Sequence, residues 1–338
     1  MMRIFCTFIF MALSLPCHAN TLVLGTFQDE TGAITVTHGG NSVDPYFATK
    51  ALLLARDGGI DVNIVGRKWI EWAIKHQQEN GLFSRYCRAT AGAEWRHCEA
   101  ADADDALLAL WLELLYALAP NSGMPTSWKA SAAKAEKQLA LLYDTQTGLY
   151  HISEQLPASL LMDNVEIVAA FTSISKDMRR LNQKKAAAAM RKRADELARN
   201  IEKNFWQVEQ KTYKITTQSR DKVDFYPDHV AQLFPLLYDL SVPSEFSSKA
   251  QFARWMKDHQ SDWLDGISVD FPWGLVAVAA TKFADGNTAF CWQSRAEPFR
   301  YSKNWNVLEE AALQRVQSYL KKHPPTVKSA CMEALYEK

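Results

Sequence analysis

Seven carboxylates stand at the starts of apolar segments: Asp44, Asp102, Asp104, Asp163, Glu166, Asp228 and Asp270. Carboxyl groups in unequal surroundings divide their duties, one staying protonated as an acid while another stays ionised as a base. Several of them around one concave mouth suit acid–base cleavage of a glycosidic bond. Each also has a plainer use. Asp is a good helix N-cap, and its charge favours the positive end of the helix dipole. Aromatic residues lie in or near the same segments, among them Trp69, Trp111, Tyr226, Trp273 and Trp305. Such rings either pack a core or lie against the apolar faces of sugars.

The elements that would position these groups read as helices. Glu99 to Leu118 opens with Asp102, Asp104 and Asp105, then runs through Ala and Leu with Glu113 as its one later charge. Ala and Leu are good helix formers, and a helix apolar on nearly every side is enclosed by others. Asp44-Pro45 predicts a helix start of the same kind, with Asp as cap and Pro in the first turn. Asp163 and Glu166 have capping-box spacing before a further apolar run. Asp228 precedes VAQLFPLLYDL, and Asp270 precedes GLVAVAATKFA. Amphipathic segments alternate with the apolar ones, the first from about Val62 to Gln78. The motifs NGLFSRY, TGLYHIS and KTYKITT each follow an amphipathic segment and put Phe83, Tyr150 and Tyr213 in equivalent places. No strand pattern is long enough for a major sheet. The expected fold is all-α, an (α/α) toroid of five to six helical hairpins. Its inner helices run parallel, so their acidic N-termini gather at one end.

Apolar content of 48% and formal net charge of zero describe an ordinary globular chain without a nucleic-acid-binding surface. Residues 1–19 read as a signal peptide: Arg3, the apolar run Ile4 to Leu15, and a cleavage site at Cys17-His18-Ala19. The mature chain, 20–338, is expected to be one domain without a transmembrane segment, periplasmic or secreted. Cys87, Cys98, Cys291 and Cys331 then predict two disulfides with three possible connectivities. Cys87–Cys98 and Cys291–Cys331 join the partners nearest in sequence. No metal-ligand spacing is present, and no cofactor is expected.

Within this architecture the chain resembles the six-hairpin glycosidase superfamily. Its first 120 residues resemble family 8 glycoside hydrolases, which include endoglucanases of bacterial cellulose export. The resemblance rests on Ser42-Val43-Asp44, Trp69 and Trp72, Asn80-Gly81-Leu82-Phe83, and Ala101-Asp102-Ala103-Asp104. It implies that Asp44 is the proton donor, where the family has Glu in an SEG motif. It implies that Asp102, the first Asp of the family's DAD motif, holds the sugar at the cleavage point. Tyr226-Pro227-Asp228 resembles the family's Tyr-Asp motif with one inserted residue, which makes Asp228 the base. Asp104, Trp69, Trp111, Asp163, Tyr226, Asp270 and Trp273 are the candidate substrate contacts. The expected substrate is a polysaccharide or oligosaccharide, and the resemblance implies an exopolysaccharide export system as a partner. Two other readings remain at this stage. Asn164, Tyr226 and His229 are the residue types of a lyase acting on an acidic polysaccharide. A non-catalytic polysaccharide-binding protein of a secretion system would keep the acids only as caps.

Overall fold

The computed structural model describes residues 20–101, 103–240, 247–326 and 331. The signal peptide and Asp102 lie outside the described residues. In chain order the helices are α1 (Pro45–Asp57), α2 (Asn63–His76), α3 (Asp104–Leu118), α4 (Thr126–Leu141), α5 (Leu161–Arg180), α6 (Lys184–Phe205), α7 (Phe234–Leu237), α8 (Ser248–Gly266), α9 (Gly274–Lys282), α10 (Gly286–Ala296) and α11 (Val307–Lys322). The odd-numbered helices close a ring. Each packs on the next, and α11 returns to α1. The even-numbered helices form an outer layer. The (α/α) toroid expected from the alternation is therefore present, with six inner and five outer helices among the described residues.

Composition sorts the two layers. α3 is buried along nearly its whole length, whereas α6 presents one apolar stripe of Ala187, Met190, Ala194, Leu197, Ile201 and Phe205. A helix enclosed on all sides can be apolar all round, while one with a wet face cannot. α7 is shorter than expected. VAQLFPLLYDL was read as one helix, but Pro235 sits in it, and the preceding Phe225–His229 forms a separate π-turn. Proline cannot donate the hydrogen bond that would continue the helix across that junction.

Connections from inner to outer helices are short. Those from outer to inner helices are long and carry what little sheet there is. β1 (Ser42–Val43), β2 (Ser84–Cys87) and β3 (Arg96–Ala100) form an antiparallel three-stranded sheet. β4 (Tyr143–Asp144) pairs with β5 (Leu149–Tyr150), and β6 (Trp206–Gln207) with β7 (Thr212–Tyr213). The repeat seen in the sequence is this series of turns. Gly81, Gly148 and Lys211 take equivalent left-handed conformations, with φ of 98°, 71° and 54°. Gly81 and Gly148 also press against outer helices, where an added Cβ would lie 2.6 Å from the Lys134 carbonyl oxygen or 2.1 Å from the Asn200 amide nitrogen. Disulfides join Cys87 to Cys98, across the β2–β3 hairpin, and Cys291 to Cys331. Among the described residues no helix is long and apolar enough to cross a membrane.

Inside the ring sits an ion pair. The Lys50 ammonium is 2.5 Å from Glu166, with 4% and 0% of the two residues exposed. Lys50 also donates to the Tyr46 hydroxyl at 2.6 Å. The hydroxyls of Tyr46 and Tyr238 in turn donate to Glu166, at 3.0 and 3.3 Å. Burying two charges is costly, so such a pair persists only when its remaining hydrogen-bonding capacity is met. Glu166 was expected to close a capping box with Asp163. In fact α5 is capped at Leu160 and begins at Leu161, three residues before such a box would start it, and Glu166 lies in the lumen.

Removing one partner strands the other charge. Lys50→Met should therefore destabilise the fold by about 3–5 kcal/mol, and Lys50→Met/Glu166→Met should recover most of that loss. Denaturant titration of the two variants checks this.

Candidate active site at the N-terminal mouth of the toroid

The inner-helix N-termini meet at one end, and contacts can be followed around it. Asp105, in the first turn of α3, faces Asp163 in the first turn of α5 closely enough for their charges to interact. Tyr46 of α1 senses Asp163, Glu166, Tyr238 and Tyr226. Tyr226 stacks on Trp273, with ring centroids 4.6 Å apart. The Gly274 N–H, opening α9, donates to Glu309 of α11 at 2.7 Å. Val307 closes the circle by donating to the Val36 carbonyl, on the segment leading into α1. Of the expected residues, the structure thus gathers Asp44, Asp104, Asp163, Tyr226, Asp228, Asp270 and Trp273 at this mouth.

Three carboxyl groups there are pushed towards the neutral form. Asp105 is wholly buried, and neither of its oxygens has a hydrogen-bond partner of good geometry. Burial first, then the neighbouring charges of Asp163 and Asp104, raise it well above the usual carboxylate range. The nearby backbone N–H groups of Ala106 and Asp105 oppose this only in part. Burial and the Glu154 charge raise Asp104 to about 6. Burial raises Glu309 to about 7 against the backbone N–H groups of Gly274 and Trp273, with Asp270 adding a small push upwards.

Asp44 and Asp228 are placed differently. Asp44 accepts the Tyr46 N–H at 2.9 Å and the Arg85 guanidinium at 2.8 Å. Asp228 accepts Arg220 at 3.1 Å and the Asp224 N–H at 3.0 Å. Each carboxylate is thus held by one guanidinium and one backbone N–H. Asp270 does not cap α9 as expected. It accepts the Trp273 indole N–H at 3.1 Å, while Trp273 is itself the cap, in a left-handed conformation. That conformation is costly for a residue with a side chain. Here it holds the indole against Tyr226, which is 49% exposed, next to Phe271 at 37%. The result is an aromatic face open to solvent beside the carboxylates.

Two expected contacts are corrected. Trp69 is fully buried and donates to Thr49, while Trp111 is buried and donates to Ser131. Both pack an inner helix against an outer one, away from the mouth. The lyase candidates separate in the same way. Asn164 is buried and bonds the backbone of Tyr150 and Leu160, and the His229 ring stacks on His259 of α8. Sequence reasoning missed Lys50, Tyr46 and Glu309 as lumen or mouth residues. Their signal was present: Tyr46 and Lys50 are four apart on one helix face, and Glu309 follows the Asn306 cap of the last apolar helix as Asp105 follows Ala103. A cavity of about 1070 Å³ lies away from this mouth, at the C-terminal ends of the inner helices.

No family model matches the sequence, and no curated protein matches it. Solved structures do match. An alpha-amylase from Clostridium perfringens is 13% identical, with 87% of this chain and 94% of that one covered and a TM-score of 0.55. A glycosidase variant is 13% identical, covers 88% and 94%, and has a TM-score of 0.56. A D-mannose isomerase is 11% identical over the same shares, with a TM-score of 0.55. The chain has a glycosidase-like toroid fold. At these identities the likeness carries the fold alone, and that fold is shared with an isomerase.

The raised carboxyl groups make stability depend on pH. A group with its folded pKa above its unfolded one contributes stability that is complete below the unfolded value and lost as pH rises through the folded value. Tm should therefore fall between about pH 4 and pH 7, from the unfolded carboxyl values up to the folded ones of about 6 for Asp104 and about 7 for Glu309. Asp104→Asn should remove the earlier part of the fall, on the order of 2–3 kcal/mol. Calorimetry across that range measures it.

Proposed function

We propose that the protein is an exported glycoside hydrolase that cleaves a polysaccharide or oligosaccharide at the N-terminal mouth of the toroid. The observation that carries this reading is Asp105, a wholly buried carboxyl without a good partner, set against Asp163. An unsatisfied buried polar group is costly, and such groups concentrate where function holds them. Two carboxyls sharing one site cannot both ionise, which keeps a proton at neutral pH. Asp105, through its contact with Asp163, supplies the acid that protonates the leaving sugar oxygen. Asp228, held by Arg220, activates water on the other side of the sugar ring. Asp102 holds the sugar at the cleavage point, the role implied by the resemblance of residues 1–120 to family 8 enzymes. Tyr226 and Trp273 offer the face on which a sugar ring lies, and Glu309 fixes the backbone that presents Trp273. Asp44 keeps the start of α1 and the β2–β3 hairpin in place through Arg85. This acid and base in an inverting arrangement stand about 6.5–9.5 Å apart when substrate is bound.

Export is supported by the N-terminal apolar segment and the two disulfides. Two structural neighbours, an amylase and a glycosidase, support a carbohydrate substrate. The family 8 resemblance supports a place beside an exopolysaccharide export system.

The test is a screen of polysaccharides with reducing-end detection. Hydrolysis of at least one is expected. Asp105→Asn, Asp228→Asn and Asp102→Asn should each lower its rate by about 10²–10⁴-fold without lowering Tm, because Asn keeps the shape of the side chain and removes its acid–base chemistry. Full activity in all three would end the mechanism. An unsaturated, ultraviolet-absorbing product would replace hydrolysis by elimination.

A further inference from the structure

The cavity at the other end of the toroid has a chemistry of its own. Lys50 lines its inner end, so the Lys50–Glu166 pair separates it from Asp105 and Asp163. Near Lys50 its walls are apolar, with Leu53, Leu110 and Val278. Outwards they become hydroxylated, with Thr172, Ser173, Tyr238 and Tyr319. Its acids are largely spoken for. Asp57 lies 3.8 Å from Arg56, Asp195 pairs with Arg191 at 2.8 Å, and Asp239 with Lys282 at 2.8 Å. Glu113 is wholly buried and raised to about 8, so it is mostly neutral at pH 7. Of the acids in the lining, Glu202 and Asp57 are left to set against the cations that remain, and Asp57, itself pushed up by burial, interacts with Arg315 without an ion pair within 4.0 Å.

Those cations are Arg315, Lys176, Arg199 and Lys322. Among the described residues none of the four has a carboxylate within 4.0 Å. Arg315 is the most telling. It is half-buried in the wall and spends one N–H on the Leu54 carbonyl at 3.0 Å. Burial pushes its pKa down, so the fold bears a desolvation cost to keep it there. Its stem runs over Gly58, where an added Cβ would lie 2.6 Å from its Cγ. Gly58 has an ordinary backbone conformation, φ −78°, so a glycine is required there by space and not by the turn. The site is shaped around the arginine. A guanidinium offers a planar fork of donors that matches a carboxylate or phosphate, and in a low-dielectric recess that match counts for more than in water.

We propose that this cavity binds an anionic sugar derivative, with its carboxylate or phosphate on Arg315 and its hydroxyls against Ser173, Tyr238 and Tyr319. A pocket of about 300–1,000 Å³ holds a ligand of this order, so there is room for more than one sugar ring. Lys176 and Lys322 stand at the entrance and draw the anion in. The site is separate from the mouth where cleavage is placed, and it does not depend on that assignment.

Calorimetric titration of the mature chain with glucuronate, glucose 6-phosphate and glucose tests the proposal. At least one anionic sugar should bind, and glucose should not. The glucuronate and phosphate arms tell which anion is preferred. Arg315→Gln should weaken that binding at least ten-fold. Gly58→Ala, which displaces the arginine stem without touching a charge, should weaken it too. Lys176→Gln/Lys322→Gln, at exposed positions, should weaken it several-fold and decides the matter if Arg315→Gln does not fold. Asp105→Asn should bind as the parent does. Failure of both anionic sugars to bind, equal binding of glucose, unchanged affinity in the lysine double variant, or loss of binding in Asp105→Asn would each overturn it.

Discussion

Lys50 and Glu166 hold opposite charges in the middle of a ring of apolar helices, and much of the molecule follows from how that pair is kept. Six parallel helices cannot close on a solid core, because the side chains of α1, α3, α5, α7, α9 and α11 leave an axis to be filled. Here the axis is filled by a salt bridge with a tyrosine on either side. Tyr46 and Tyr238 take up the hydrogen bonds that the pair alone would leave open, and the Lys50 ammonium lies 4.7 Å from the centre of the Phe234 ring. The plug divides the lumen into an end rich in carboxyl groups and an end rich in unpaired cations.

The two ends differ for a physical reason. Helix N-termini present unpaired N–H groups and the positive end of the dipole, so acids are favoured there. Burial works against their charge. Asp105 and Glu309 show that burial wins where neighbours are acidic or absent, while Asp44 and Asp228 have Arg85 and Arg220 as ion-pair partners. The C-terminal ends present carbonyl groups and favour cations, and Lys176, Lys282, Arg315 and Lys322 collect there. The long connections, with their small sheets, all lead into the acidic end. That end can therefore change its shape and specificity without disturbing the ring.

The ring itself was legible from the alternation of apolar and amphipathic segments, because burial on all sides and burial on one side leave different sequence patterns. The turns around Gly81 and Gly148 were legible as a repeat, since each sends a bulky residue into the same place. The nearest-neighbour disulfides were legible from spacing. The individual roles of the acids were less so. Asp163 and Glu166 have the spacing of a capping box, yet a helix start displaced by three residues turns both inwards. Trp69 and Trp111 sit on an outer and an inner helix, and 100° per residue turns both rings into the seam between the two layers. Lys50 looks like an ordinary helix lysine until the partner 116 residues later is known. The toroid is written in local periodicity, whereas the site depends on side chains that distant segments bring together.

The account stands on one protonation state, that of Asp105. Carbon-13 spectroscopy of protein labelled at the aspartate carboxyl carbon reads it directly, without any substrate. At pH 7 one aspartate signal should have the position of a neutral acid, and it should vanish in the Asp105→Asn protein. A spectrum in which every aspartate is ionised at pH 7, or a neutral signal that survives that substitution, would contradict the account.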